Sequence, residues 1–330
     1  MKSADDALDA VPRVALARLP TPLEEMPRLA KRLGLMKLLV KRDDATGLAM
    51  GGSKARKLEY DFAPVLAGSH DVVVTIGGAQ SNHAAMTAAA ARRLGLDVKL
   101  VLGGPKVTRL EGNMLLDAVY GAEVRYLLDD DDNDSLAAAM DVRVEELRRD
   151  GRRPYAFPIG GSTGLGALGY VRAMRELAGQ AGPGPFQIVT AVGSCGTFAG
   201  LNLGARLFAP AARIIGISVS RTARQIAVRT AELVSEAAAL LGIVPPPGAL
   251  ECHDGFHERY GVATESGAEA IRVSARLEGL LLDPVYTGKS MAGLFALARS
   301  GALDPGIPVV FLHTGGLPIL FAVDLPMERA

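Results

Sequence analysis

Short apolar runs alternate along this chain with longer stretches whose apolar residues recur at helical spacing. The runs are Leu38–Val40, Val72–Ile76, Val98–Leu102, Val124–Leu127, Ile188–Val192, Ile214–Val219 and Val309–Leu312, and they predict strands. Between them, Ala-rich amphipathic stretches at 79–94, 109–120, 135–149, 198–208, 221–241 and 266–279 predict helices. Strands that alternate with helices build parallel sheets through right-handed crossovers. The expected fold class is therefore α/β, with two open, twisted, mostly parallel sheets flanked by helices.

The chain has 330 residues, more than one hydrophobic core usually serves. Residues 53–165 hold their own succession of βα units. Glycine-rich stretches flank them, Gly47–Gly52 and Gly160–Gly169, and such stretches suit hinges or chain crossings between domains. The expected division is a small domain at 53–165 and a large domain from 1–52 and 166–330. In that reading the first fifty residues return to pack with 166–330. The irregular segment from Pro245 to about Tyr260 is a candidate active-site loop.

Composition narrows the function classes. Lys plus Arg (36) balances Asp plus Glu (36), which leaves no electrostatic footprint for nucleic acid or an anionic membrane. Trp is absent and aromatics are 5%, so base-stacking platforms are not expected. No apolar run approaches the roughly 20 residues of a membrane helix. Cys195 and Cys252 make no disulfide framework, and the acidic N-terminus lacks a signal-like apolar core. A cytoplasmic protein is expected. Cys195, Cys252, His253 and His257 lack metal-site spacing, so no metal is expected.

Five segments carry candidate chemistry. In Gly51–Lys57 (GGSKARK), a glycine pair precedes a helix and allows close backbone approach to a ligand. Lys54 would start that helix and face a cleft, where partial desolvation lowers an amine's pKa. Taken alone, the segment also reads as a solvated basic cluster. In Gly77–His83 (GGAQSNH), Ser81 and Asn82 open a helix, which favours a bound carboxylate or serves simple capping. Gln80 and His83 add more polar groups than a cap needs. In Gly193, Ser194, Cys195, Gly196 and Thr197, small residues between strand and helix make an anion cradle that matches neither a Walker loop nor a dinucleotide fingerprint. In Asp283–Lys289 (DPVYTGK), Tyr286 could stack on or protonate a substrate and Thr287 could bond a ring nitrogen, although taken alone the segment reads first as a surface turn with the Tyr packed on the core. In Leu312–Gly316 (LHTGG), at the end of a strand, Thr314 is a second candidate for that nitrogen, and His313 reads equally as a core histidine.

In this order, these segments resemble the fold-type II enzymes of pyridoxal 5'-phosphate (PLP), which are tryptophan synthase β-like. Within them they resemble the branch holding D-cysteine desulfhydrase and 1-aminocyclopropane-1-carboxylate (ACC) deaminase. The resemblance spans RLPTPL at 18–23, VKRDD at 40–44, GGSKARKLEY at 51–60, GGAQSNH at 77–83, GSCGT at 193–197, EGLLLDPVYTGKSMAGL at 278–294 and HTGG at 313–316.

It implies that the large domain binds PLP and that Lys54 is the Schiff-base lysine and shuttles the α-proton. It implies that Gly193–Thr197 hold the phosphate, with added charge from Lys57. Ser81 and Asn82 would lie beside the substrate, Ser81 near its carboxylate and Asn82 also at the cofactor, with Gln80 and His83 beside them. Tyr260 and Tyr286 would flank the substrate, and Thr287 and Thr314 would lie near the pyridine nitrogen. The chain departs from the family at Ser53, usually Asn, and at Ala55, usually Thr. Thr287 replaces the acid of ACC deaminases, and His83 a Gln. Both of these lean toward the desulfhydrase. The implied reaction is elimination from D-cysteine to pyruvate, hydrogen sulfide and ammonia. L-cysteate, 3-chloroalanine, ACC deamination and a non-catalytic PLP carrier stay open as alternatives. A homodimer acting on a small amino acid is expected.

Overall fold

The computed structural model describes residues 3–104, 109–128 and 132–325. Ten strands form two sheets: β1 (Leu23–Glu25), β2 (Leu38–Lys41), β3 (Val72–Gly78), β4 (Asp97–Gly104), β5 (Glu123–Leu128), β6 (Pro154–Phe157), β7 (Gln187–Val192), β8 (Arg213–Ser218), β9 (Glu251–His253) and β10 (Val309–Leu312). The larger sheet runs β1-β2-β10-β7-β8-β9 and the smaller β5-β4-β3-β6. The β1–β2 pair is antiparallel and the other pairs are parallel. The expected α/β class with two mostly parallel sheets is what forms.

Interior strands β7 and β10 are buried along their whole length, as parallel strands covered on both faces must be. The edge strand β5 is largely exposed and carries Glu123, which pairs with Lys99 and Arg143. The seven expected strands are all present. Strands β1, β6 and β9 escape a periodicity reading because three or four residues contain too little alternation to register.

Gly160–Gly169, expected to suit a hinge or a chain crossing between domains, leads into the buried helix Gly164–Ala181. Its glycines allow close packing. A Cβ at Gly169 would lie 2.3 Å from the Arg56 carbonyl oxygen on the neighbouring helix, Lys54–Ala67. That second helix is shared between two cores. Its Tyr60 joins Ala167, Val171 and Ile188 under the larger sheet, while Ala55, Leu58 and Phe62 join Val73, Leu100 and Phe157 under the smaller. The first fifty residues are shared as well. β1 and β2 belong to the larger sheet, but Leu16 and Leu48 pack in the core of the smaller one. Single apolar residues in loops have no period that would have revealed this. No helix among the described residues is long and apolar enough to cross a membrane.

Candidate active site

A cavity of about 830 Å³ opens at the carboxyl ends of β3, β7 and β10, where open α/β sheets bind ligands. It is lined by Lys54, by Gln80, Ser81, Asn82 and His83 after β3, and by Gly193, Ser194, Cys195, Gly196 and Thr197 after β7. Thr314 after β10, with Tyr260 and Tyr286 from the stretch between β9 and β10, completes the candidates that meet there. The sequence assigned no role to Arg221 and Arg259, which also line it.

Lys54 is the first residue of the shared helix, so its direction is fixed by packing against both cores. Its amine lies 3.4 Å from the Ser53 hydroxyl. Burial pushes this amine down to about 8, against an upward pull from the Asp283 charge.

The β3 loop ends in Ser81, the N-cap of helix Asn82–Arg93, whose hydroxyl accepts from Ala84 N–H at 3.2 Å. Gln80 borders the cavity, but its amide is engaged elsewhere. It donates to the Glu111 carbonyl at 3.0 Å and accepts from Asn113 N–H at 2.9 Å. Asn113 also donates its side-chain amide to Asn82 Oδ1 at 2.7 Å and so orients Asn82. Nothing near Asn113 in the chain signals this role, because its partners are some thirty residues away. His83 Nε2 lies 3.0 Å from the Thr75 hydroxyl. Burial, together with the charges of Lys57 and Lys54, holds this imidazole well below its usual pKa, which keeps it neutral.

The β7 loop turns through Cys195 at φ 72° into helix Gly196–Phe208, leaving the helix's first N–H groups facing the cavity. A Cβ at Gly196 would come within 3.0 Å of Ser162 Oγ. Ser162, unassigned from the sequence, donates to Ser194 Oγ at 2.6 Å.

Two expected contributors do not line the cavity. Lys57 lies behind the loop and donates to the Gly160 carbonyl at 2.5 Å. Burial lowers its pKa well below the usual lysine value, with the Lys54 charge acting in the same direction. Thr287 is fully buried, and its hydroxyl donates to Asp283 Oδ1 at 2.6 Å instead of facing a ligand. Among the described residues, no group of three or more His, Cys, Asp or Glu side chains is arranged to hold a metal ion.

A desolvated lysine facing an anion cradle across the open ends of two parallel sheets is the arrangement of the fold-type II PLP enzymes. The chain belongs to the pyridoxal-phosphate dependent enzyme family, whose model matches residues 14–315. A candidate 1-aminocyclopropane-1-carboxylate deaminase of Pyrococcus horikoshii is 43% identical over 309 residues, covering 93% of this chain and 92% of that protein. A D-cysteine desulfhydrase of Yersinia pestis (strain Pestoides F) is 43% identical over 324 residues, covering 96% of this chain and 97% of its own. The crystal structure of an ACC deaminase homologue superposes with a TM-score of 0.91 at 41% identity, covering 98% of this chain and 97% of that one.

The residues present fit PLP. The cradle offers helix N–H groups and the Ser194 and Thr197 hydroxyls to a phosphate, and Thr314 offers a hydroxyl to the ring. Lys54, with its lowered pKa, would be the amine for the cofactor's aldehyde.

One expected outcome follows for Ser81. Ser81→Ala should cut kcat by about 10–100-fold while the bound cofactor's visible absorbance persists. The loss of the cap should cost about 1 kcal/mol of stability. Absorbance titration, steady-state kinetics and urea unfolding measure the three. Loss of PLP would place Ser81 at the cofactor instead of the substrate.

Proposed function

We propose that this chain is a PLP-dependent lyase that eliminates a leaving group from the β-carbon of a small amino acid, with D-cysteine the best substrate. The balanced reaction takes D-cysteine and water to pyruvate, ammonia and hydrogen sulfide. One observation carries the reading: no carboxylate among the described residues lines the cavity.

An acid beside the pyridine nitrogen would hold that nitrogen protonated, whereas the hydroxyl of Thr314 does not. Bound PLP supplies an electron sink for a carbanion at Cα. With a hydroxyl partner that sink is weaker, which favours prompt expulsion of a good leaving group over long-lived carbanion chemistry. The Thr287 hydroxyl, spent on Asp283, gives no substitute for an acid.

The chain's own residues supply the rest. Ser81 and Asn82 start their helix at the cavity wall, which supports a role in receiving the substrate, with its carboxylate near Ser81. Lys54 takes the α-proton, and its amine near pKa 8 is partly neutral at physiological pH. Tyr286 lines the cavity and would protonate the departing sulfur from its hydroxyl. Arg221 and Arg259 give the cavity a positive bias that suits an amino acid carboxylate.

The test is a panel of D- and L-cysteine, L-cysteate, 3-chloro-D-alanine and ACC with the purified holoenzyme, reading keto acids. D-cysteine should give pyruvate with kcat/KM about tenfold or more above the others. Formation of 2-oxobutyrate from ACC as the dominant activity would sink the reading.

A further inference from the structure

The heptad Asp283–Lys289 begins and ends on charged residues, and neither lines the cavity. Asp283 is fully buried, and its carboxylate accepts four hydrogen bonds. Oδ2 takes the N–H groups of Val285 and Tyr286, both at 2.8 Å. Oδ1 takes the N–H of Thr287 at 2.9 Å and its hydroxyl at 2.6 Å. Asp283 N–H donates back to Thr287 Oγ1 at 2.7 Å, which closes a polar ring. The ring satisfies N–H groups at the start of helix Thr287–Arg299, where the cap residue Tyr286 makes no side-chain capping bond.

Lys289 is equally buried and donates its Nζ to the Arg259 carbonyl at 3.2 Å. Arg259 immediately precedes Tyr260. The hydroxyls of Tyr260 and Tyr286 lie 2.5 Å apart, and their rings meet edge-on with centroids separated by 6.1 Å.

We propose that Asp283 and Lys289 are positioning residues of this site. Asp283 fixes the backbone beneath Tyr286, and Lys289 tethers the loop that carries Tyr260, so that the two phenols meet as a hydrogen-bonded pair at the cavity wall. Without both anchors the pair has no reason to form. Tyr260 comes from an irregular segment and Tyr286 from the unsupported first turn of a helix, and ordering both costs conformational entropy. Hydrogen bonds to an ionised carboxylate are roughly twice as strong as neutral ones, so one buried aspartate can hold three successive amides. Burial raises both phenols above their usual pKa, with the Asp283 charge adding to the effect on each. Both therefore stay protonated at neutral pH. One hydroxyl donates to the other and leaves a proton free for a ligand. The charged ends of the heptad thus build a proton-donating group that neither tyrosine supplies alone.

The proposal rests on the lyase reading for one of its two tests. The first test is hydrogen–deuterium exchange on the PLP-loaded full chain. Lys289→Met should speed amide exchange across 255–262 by about tenfold or more, and Asp283→Asn should do the same across 285–288, with β3 unchanged in both. The second test is kinetic, on the best substrate of the panel. Each variant should lose about 10–100-fold in kcat with KM held within about threefold, and adding Tyr286→Phe to either should cost less than about threefold more.

Unchanged exchange across 255–262 in Lys289→Met overturns the proposal. So does a full multiplicative loss when Tyr286→Phe is added, because a merely structural role would not spare the second substitution. If Asp283→Asn fails to fold, Lys289→Met decides both measurements. If the wild type turns over no amino acid of the panel, the lyase reading fails, and the exchange result alone judges the positioning.

Discussion

Lys54→Ala should abolish the visible absorbance of lysine-bound PLP and lower turnover by about 1,000-fold or more. The role of Lys54 is electrostatic as well as covalent. An ordinary lysine, with a pKa near 10.4, keeps only about one amine in 2,500 neutral at pH 7. Burial brings Lys54 down to about 8, so roughly one in ten is neutral there. That gain comes from the position of the residue at the foot of a helix packed on both cores. The sign for pH follows directly. The reactive form is the deprotonated amine, so uptake of PLP by the apoprotein should quicken as pH rises and level off above about 8. Stopped-flow absorbance between pH 6 and 10 measures it. A midpoint near 10 would show an amine that is not desolvated, and a borohydride-stable adduct elsewhere in the chain would displace Lys54 from its role.

The sequence made the sheets legible wherever a strand was long enough to carry a pattern. Buried runs such as Val72–Ile76 and Ile188–Val192 announce themselves, whereas β9, with three half-buried residues, has no pattern to read. Lys54, Ser81 and the 193–197 loop stood out because glycine and small polar residues punctuate a strand–helix junction, and the chain brings them to one cavity. Thr287 was harder to read. A hydroxyl facing a ligand and one closing a ring with a carboxylate four residues earlier give the same letters in a sequence. Lys57 poses a similar problem. One helical turn from Lys54, it shares that residue's side of the helix, yet its amine ends behind the loop on a backbone carbonyl. Asn113 and Ser162 act on cavity residues about thirty positions away, a distance over which no local pattern operates.

The helix carrying Lys54 is also held by a buried ionic network, and the largest stability loss is expected there. Arg56, 1% exposed, donates Nε and Nη2 to the two oxygens of Asp43, each at 2.9 Å, and also bonds Glu176. Tyr170 donates to Asp43 Oδ2 at 2.6 Å and Thr21 to Oδ1 at 2.7 Å. Asp43 thus ties β2's end to two helices, and every partner of its carboxylate is buried. Removing Asp43 leaves Arg56 with Glu176 as its one carboxylate partner and takes the acceptor from the buried Tyr170 hydroxyl, so Asp43→Ala should cost about 3 kcal/mol. Against a total stability of about 5–15 kcal/mol this is severe. Loss of the solvent-screened surface pair Arg125–Glu146 should leave stability almost unchanged. Burial alone would raise the Asp43 carboxyl, but the Arg56 charge and the hydrogen bonds outweigh it and hold it below the usual range. A carboxyl depressed in the folded state stabilises fully above its unfolded pKa of about 3.9 and loses that contribution as pH falls through the folded value. The wild-type advantage over Asp43→Ala should therefore be flat from about pH 5 to 8 and shrink only on the acid side. Urea unfolding of both proteins at pH 4, 5, 7 and 8 reads this directly. An advantage that grew toward acid, or a cost below about 1 kcal/mol at pH 7, would mean that the shared helix is held by its apolar faces alone.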